Sequence, residues 1–369
     1  MRPPQPVMLS VEPTISRTHR QETLRSTLRL TLLPLVILLS ACGSSAPAGT
    51  PSASGSAGAA AASAKPAAGS PAAGSPSPKA SLENITVSIP AQSLSQFPLT
   101  VGKNAGIYQK HGINLTIETM RSDAAIAAAI SGDAAYSTPA GSLIRAIGQG
   151  APLKLVATVM DKSNHLMIIN PKAIPTPKDL AGKRVAVNGL ADNTQLEAEA
   201  VYTHFGVDKK TAQFVVIPDD GPKVAALQAG SVDAAMTTIP WNFKAEELGM
   251  KTLVNMVDIL ALPTSILATS NQNIASHSAS VQNMVDATLE ATRYTRDQKD
   301  NTVKEIAKFY SIPDDQASQA FDLSKDAWSA TGILSQDAFD NAAAPLSLNP
   351  PLTIDKVWDP QFVQKSSAK

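Results

Sequence analysis

The residues best suited to hold a polar molecule come in two matched pairs. Residues 128–139 read AAISGDAAYSTP, and residues 225–240 read AALQAGSVDAAMTTIP. Each stretch predicts the end of an Ala-rich helix, a Gly, an Asp-Ala-Ala strand, two hydroxyl residues and a Pro starting the next helix. Ser137 and Thr138 then stand at the same strand end as Thr237 and Thr238, and the helices that follow stop near Gly148 and Gly249. Hydroxyls in that place either cap the next helix or join its free N–H groups in lining a ligand site. Ligands of open α/β sheets sit beyond the carboxyl ends of strands, so two such lobes face to face would share one cleft.

Patterns for covalent or metal chemistry are missing. The five His residues (His19, His111, His165, His204, His277) are widely spaced, with no H-x-x-x-H pair. No G-x-S-x-G, Walker A or G-x-G-x-x-G pattern occurs, and the only S-x-x-K considered is Ser366 to Lys369, at the chain end. One Cys excludes an intramolecular disulfide framework and any Cys-rich zinc or iron site. The chain is therefore expected to be no enzyme and to use no metal or cofactor. With 31 Lys+Arg against 31 Asp+Glu, 17% charged residues and no basic cluster past the N-terminus, nucleic acid is not expected as a partner.

That one cysteine, Cys42, has its own chemistry. Four Arg (Arg17, Arg20, Arg25, Arg29) precede the apolar run Leu30 to Leu39, which ends in Ser40-Ala41-Cys42. This order marks an export signal, and the run is half the length of about 20 residues that a bilayer span needs. L-S-A-C resembles the bacterial lipobox, in which the cysteine carries diacylglycerol and cleavage falls just before it. Cleavage removes five Arg and two Glu from 31 and 31, leaving 26 against 29 and a net charge of −3. Residues 43–81 are nearly all Ala, Pro, Gly and Ser, which offers nothing large to bury and reads as a flexible tether. Residues 1–41 are thus a signal, and 42–82 a lipidated Cys with its tether.

The folded part begins near Ile85. ITVSIP (85–90), INLTIETM (113–120), KLVATVM (154–160), HLMIIN (165–170), RVAVN (184–188) and QFVVIP (213–218) read as strands alternating with helical stretches. Phe97-Pro98 opens a helix, and residues 279–297 and 300–310 are the clearest helices of a mostly helical C-terminal part. Strand–helix alternation predicts parallel sheets with crossover helices. A repeat of about 100 residues is too long for a solenoid and predicts two similar α/β lobes.

FPLTVGKNAGIYQKHGINLTIE (97–118), AAISGDAAYSTPAGSLIRAIGQGAPLKLVA (128–157), IPTPKDLAGKRVAV (174–187), VAALQAGSVDAAMTTIPW (224–241) and IDKVWDPQF (354–362) together resemble the substrate-binding proteins of ABC importers. The branch is the one grouped with alkanesulfonate, nitrate and thiamin-pyrimidine binders. The resemblance implies an α/β, two-lobed type II periplasmic-binding fold with two hinge strands, at His165–Asn170 and Leu260–Thr269. Lobe 1 would be residues 83–170 plus 261–369, and lobe 2 residues 171–260. It also implies a monomer that takes a small-molecule solute between its lobes and passes it to an ABC permease, outside the cell membrane to which Cys42 anchors it.

Carried across residue by residue, the family's binding positions fall on four loops. They are Ser93, Gln96 and Phe97; Ser137 and Thr138; the run from Asn188 to Thr194 with Asp192 and Asn193; and Thr237, Thr238 and Trp241. Phe97 and Trp241 would flank a flat ligand, although a half-buried surface aromatic is an equal reading of Trp241. Asp219-Asp220-Gly221 reads as a turn with a helix cap. None of the four loops holds Arg or His, which favours a neutral or weakly cationic solute. Two rival classes remain: an enzyme like the fungal pyrimidine synthase related to these binders, which depends on iron and a Cys-rich motif, and a surface sensor or adhesin on the same fold.

Acylation of Cys42 predicts that Cys42→Ser releases the protein from membranes with its fold intact. Mass spectrometry should find Cys42 as the acylated N-terminal residue of the mature chain; an unmodified thiol there contradicts the reading.

Overall fold

Two five-stranded sheets with the same strand order organise the chain. The computed structural model describes residues 81–190 and 192–367, all within one compact unit. The expected signal, Cys42 and almost all of the tether lie outside the described residues.

The chain opens with β1 (Glu83–Ile89), α1 (Phe97–Asn104), α2 (Ile107–Lys110), β2 (Ile113–Thr119), α3 (Ser122–Ser131), β3 (Tyr136–Pro139), α4 (Ala140–Gly148) and β4 (Leu153–Met160). It continues through β5 (Leu166–Ile169), β6 (Arg184–Val187), α5 (Asn193–His204), β7 (Gln213–Val216), α6 (Asp220–Gln228), β8 (Ala234–Thr237), α7 (Trp241–Glu247), β9 (Lys251–Asn255) and β10 (Ser265–Ser270). Helices α8 (Asn271–Ser276), α9 (Ser278–Asp297), α10 (Lys299–Tyr310), α11 (Asp314–Ser324), α12 (Gln336–Ala343), α13 (Ile354–Val357) and α14 (Gln361–Ser367) complete it.

The first sheet runs β2-β1-β3-β10-β4 and the second β7-β6-β8-β5-β9. Superposing the two orders places β3 on β8 and α3 on α6, which is the repeat visible in the sequence. Glycines end these helices as expected: Gly132 (φ 91) and Gly230 (φ 68) occupy the left-handed region that a Cβ disfavours. Each sheet also contains one antiparallel strand that enters as the chain crosses over from the other sheet. β10 lies between β3 and β4, and β5 between β8 and β9. Leu166–Ile169, grouped above with lobe 1, is by this pairing a strand of the second sheet. The chain therefore crosses between lobes at residues 161–165 and 259–264. Thr264 N donates to Met160 O at 3.1 Å, so the two crossings are tied together at the hinge.

Period-two alternation distributes the core. Leu166 and Ile168 of β5, with Ala186 and Ala235, face a cluster that also holds Phe97, Val224, Phe243, Phe321 and Trp328. Met167 and Ile169, with Val185, Val187 and Met236, face Ala198, Val201 and Tyr202 on the other side. The first cluster draws on both lobes, because α10 and α11 lie over it, and Asn255 Nδ2 donates to Leu323 O at 2.8 Å. A third cluster, around Val87, Tyr136, Leu155, Met284 and Phe362, fills the first sheet's lobe. The open side of β4 is covered by residues 327–332, where Ser329 N donates to Val159 O and Thr158 N to Gly332 O. No helix among the described residues is long and apolar enough to cross a membrane.

One close approach is testable. A Cβ at Gly102 of α1 would stand 2.3 Å from the Ala291 Cβ of α9. Gly→Ala inside an exposed helix ordinarily gains about 1 kcal/mol. Gly102→Ala should instead lower unfolding free energy by about 1–3 kcal/mol through overpacking, as a denaturant melt would show.

Candidate functional site

Where β3 ends, Pro139 turns the chain into α4, whose first turn has no side-chain cap. Ala140, Gly141, Ser142 and, a turn further on, Arg145 line a cavity of about 430 Å³. From lobe 2, the loop after β6 brings Asn188, Asp192, Asn193 and Thr194 to the facing wall. The two crossings supply His165 and Thr264. Pro90, Ser122 and the segment holding Ala342, Pro345 and Leu346 complete the lining. The lobes approach each other here: a Cβ on Gly141 would lie 3.7 Å from the Asn193 side chain. A volume in this range suits a small organic molecule.

Hydrogen bonds hold the lobe 2 wall in shape. Asp192 caps α5 by accepting from Gln195 N at 3.0 Å. Thr194 Oγ1 accepts from Asn188 N and donates to Asp192 Oδ1, both at 2.8 Å. Lys223, 1% exposed, donates to Asp220 Oδ1 at 2.9 Å, to Met236 O at 2.7 Å and to the Asn188 side chain. That lysine is fully committed to structure. Asp220 in turn accepts from Thr238 N and Oγ1 at 3.0 and 2.5 Å, clamping the end of β8 to α6.

Two basic side chains differ from Lys223 in reaching the cavity. Arg145 is exposed and has no ion-pair or hydrogen-bond partner among the described residues. His165 Nδ1 lies 2.7 Å from Glu197 Oε2 and 3.0 Å from Ser163 Oγ. Burial works against protonating His165, but the charge and hydrogen bond of Glu197, backed by Asp220, outweigh it despite Lys223 and raise the imidazole above its ordinary value. The four expected loops hold no Arg or His, but the cavity lining holds one of each. Arg145 comes from α4, beyond the loops considered, and His165 from the hinge.

The expected residues divide sharply. Asn188, Asp192, Asn193 and Thr194 line the cavity. Ser93 Oγ bonds Ser95 Oγ at 2.7 Å, Gln96 is buried and accepts from Ser265 Oγ at 2.9 Å, and Phe97 is buried edge-on against Phe309, 5.4 Å between centroids. None of these three lines the cavity, and a buried Phe97 cannot flank an open ligand. Thr138 Oγ1 donates to Ser88 O at 3.3 Å, while Ser137 and Thr237 are buried without partners for their hydroxyls. The two hydroxyl pairs therefore neither cap α4 and α7 nor face each other across the cavity. Trp241 is 40% exposed and lies over Gly221, away from the cavity lining.

Sequence reasoning missed Arg145, His165, Thr264 and Ser142. A signal existed for the first two: Arg145 is the one charge in AGSLIRAIG, and His165 opens the apolar hinge run HLMIIN. Among the described residues no group of three or more His, Cys, Asp or Glu is placed to hold a metal ion.

Comparison with known proteins covers most of the described residues. No curated protein sequence matches it. Among solved structures, a periplasmic sulfonate-binding protein SsuA from Methylobacillus flagellatus KT, described as a putative sulfonate ABC transporter component, superposes with a TM-score of 0.63 at 17% identity, covering 78% of this chain and 94% of that one. The periplasmic aliphatic sulphonate binding protein SsuA from Escherichia coli gives 0.61 at 16% identity, covering 76% and 93%. The desulfurization enzyme DSZB gives 0.58 at 17% identity, covering 78% and 99%. These likenesses establish the two-lobed periplasmic-binding fold. The family model described as NMT1/THI5 like matches residues 95–302, more than half of the chain, and the protein belongs to that NMT1/THI5-like family.

Proposed function

We propose that this protein is the solute-binding component of an ABC importer, anchored outside the membrane through Cys42, and that it captures a small organic anion between its lobes for a permease. The observation that carries the choice of an anion is Arg145, unpaired among the described residues and lining the interlobe cavity. It stands one turn into α4, whose first N–H groups have no capping side chain. Uncapped donors and the positive end of a helix complement an anionic group. Asn193 and Thr194 supply polar contacts from lobe 2. A ligand touching both walls stabilises only the arrangement that brings them together, which is what drives closure. The solved relatives named as sulfonate binders make sulfonates the first class to test.

The DSZB likeness shows that this fold also carries catalysis in another protein. Turnover of a bound ligand would move the reading to an enzyme.

A thermal-shift screen of small sulfonates, carboxylates, pyrimidines and amines tests the reading. A true ligand at a hundredfold excess over its dissociation constant should add about 2.7 kcal/mol of stability and bind one per chain, unchanged chemically. Stabilisation by amines alone would contradict an anion site. Arg145→Gln should weaken anion binding about ten- to hundredfold, the worth of a charged hydrogen bond, while leaving the melting point of the free protein in place. Trp241→Ala, at a position outside the cavity lining, should leave affinity unchanged.

A further inference from the structure

His165 has a geometry that its neighbours in the cavity lack. It sits in the crossing between lobes, 18% exposed, and lines the cavity. Its Nδ1 is held by Glu197, which is itself fully buried, with Oε1 lacking any hydrogen-bond partner. A carboxylate only accepts, so Nδ1 carries the proton in this pair. Nε2 has no hydrogen-bond partner among the described residues. In the neutral ring Nε2 therefore presents a lone pair, which repels an anionic oxygen; after protonation it presents an N–H, which binds one.

We infer that His165 is a proton-coupled anion donor: an anionic solute entering the cleft is bound together with one proton, taken from solvent onto Nε2, and Glu197 is the positioning residue that makes this possible. The inference rests on the anion reading above and adds a specificity rule to it. Solutes are selected by an acceptor oxygen that reaches the hinge, and capture is tighter at lower pH. The proton balance is simple, since no bond other than N–H forms and the solute keeps its charge.

The charges facing His165 from each element support the assignment. Glu197 of α5 and Asp220 of α6 favour the imidazolium, and Asp192, which caps α5, lines the same cavity. Lys223 of α6 opposes the imidazolium, and Arg145 of α4 lines the same cavity. Burial opposes it as well, yet the net effect raises the ring above its ordinary value. A bound anion brings negative charge and an acceptor to Nε2, so it raises the ring further. Affinity must then fall as pH rises through the interval between the free and bound values, and level off above it.

Calorimetric titration of the full chain with ethanesulfonate, whose charge is constant from pH 5.5 to 8.5, tests this. Runs in two buffers of different protonation enthalpy count the protons. The expected result is net uptake approaching one proton per ligand, with affinity falling by up to about tenfold per pH unit within the sensitive interval. His165→Gln should abolish both the uptake and the slope. Glu197→Gln should move the sensitive interval to lower pH, a shift that mere loss of packing does not produce; should it fail to fold, proton count and the His165 variant decide alone. Binding without proton uptake and flat in pH overturns the inference while leaving the anion reading standing, as does a pH slope that survives His165→Gln. Absence of ethanesulfonate binding at every pH overturns the inference and removes sulfonates from the anion reading.

Discussion

Two antiparallel strands, each hydrogen-bonded into the sheet opposite the one its chain has just left, are what the rest of this structure depends on. β5 enters the second sheet directly after β4 ends in the first, and β10 returns to the first after β9. Each is held on both sides by a ladder of backbone bonds. Neither can shift register without turning its buried residues toward the wrong layer. The freedom that remains lies in the short crossings, and these are where the cavity has its floor. Cleft and crossings are one feature, because the segments that pass between the lobes also carry the cavity-lining His165 and Thr264.

Charge is handled differently on the two walls. Lobe 2 buries Lys223 and Glu197 behind its surface, with half-buried Asp220 beside them, and satisfies most of their polar atoms internally. Desolvating such groups is expensive, and removing one partner of a buried pair typically costs about 3–5 kcal/mol. Their return is placement: Lys223 holds the Asn188 side chain and Glu197 holds His165, each from within lobe 2. Lobe 1 instead offers an uncapped helix start and an exposed guanidinium. One wall is rigid and pre-arranged, and the other supplies the charge.

Much of this was legible in the amino-acid sequence. The duplicated helix–Gly–strand unit foretold two equivalent sheets, and apolar runs located the strands, because β-branched alternation and terminal glycines act locally. The hydroxyl pairs stay out of the cavity lining for a physical reason. Ser137, Thr138 and Thr237 belong to strands whose short ends are covered from both layers, so their side chains are spent on or beneath the sheets. The cavity wall begins one residue later, where backbone leaves the sheet for α4. Asn188, Asp192, Asn193 and Thr194 do line the cavity, because their loop turns outward before α5. Ala342, Pro345 and Leu346 reach the cavity from nearly 200 residues downstream of α4, a juxtaposition that no local pattern records.

The central claim is that the lobes close about the crossings onto a bound solute. Spin labels at Asp123, on the first turn of α3, and at Leu190, on the exposed loop after β6, report that motion in a Cys42→Ser background. With a sulfonate whose binding has been established by titration, the account predicts a shorter and narrower distance distribution between the labels. An identical distribution with and without the bound ligand would contradict it.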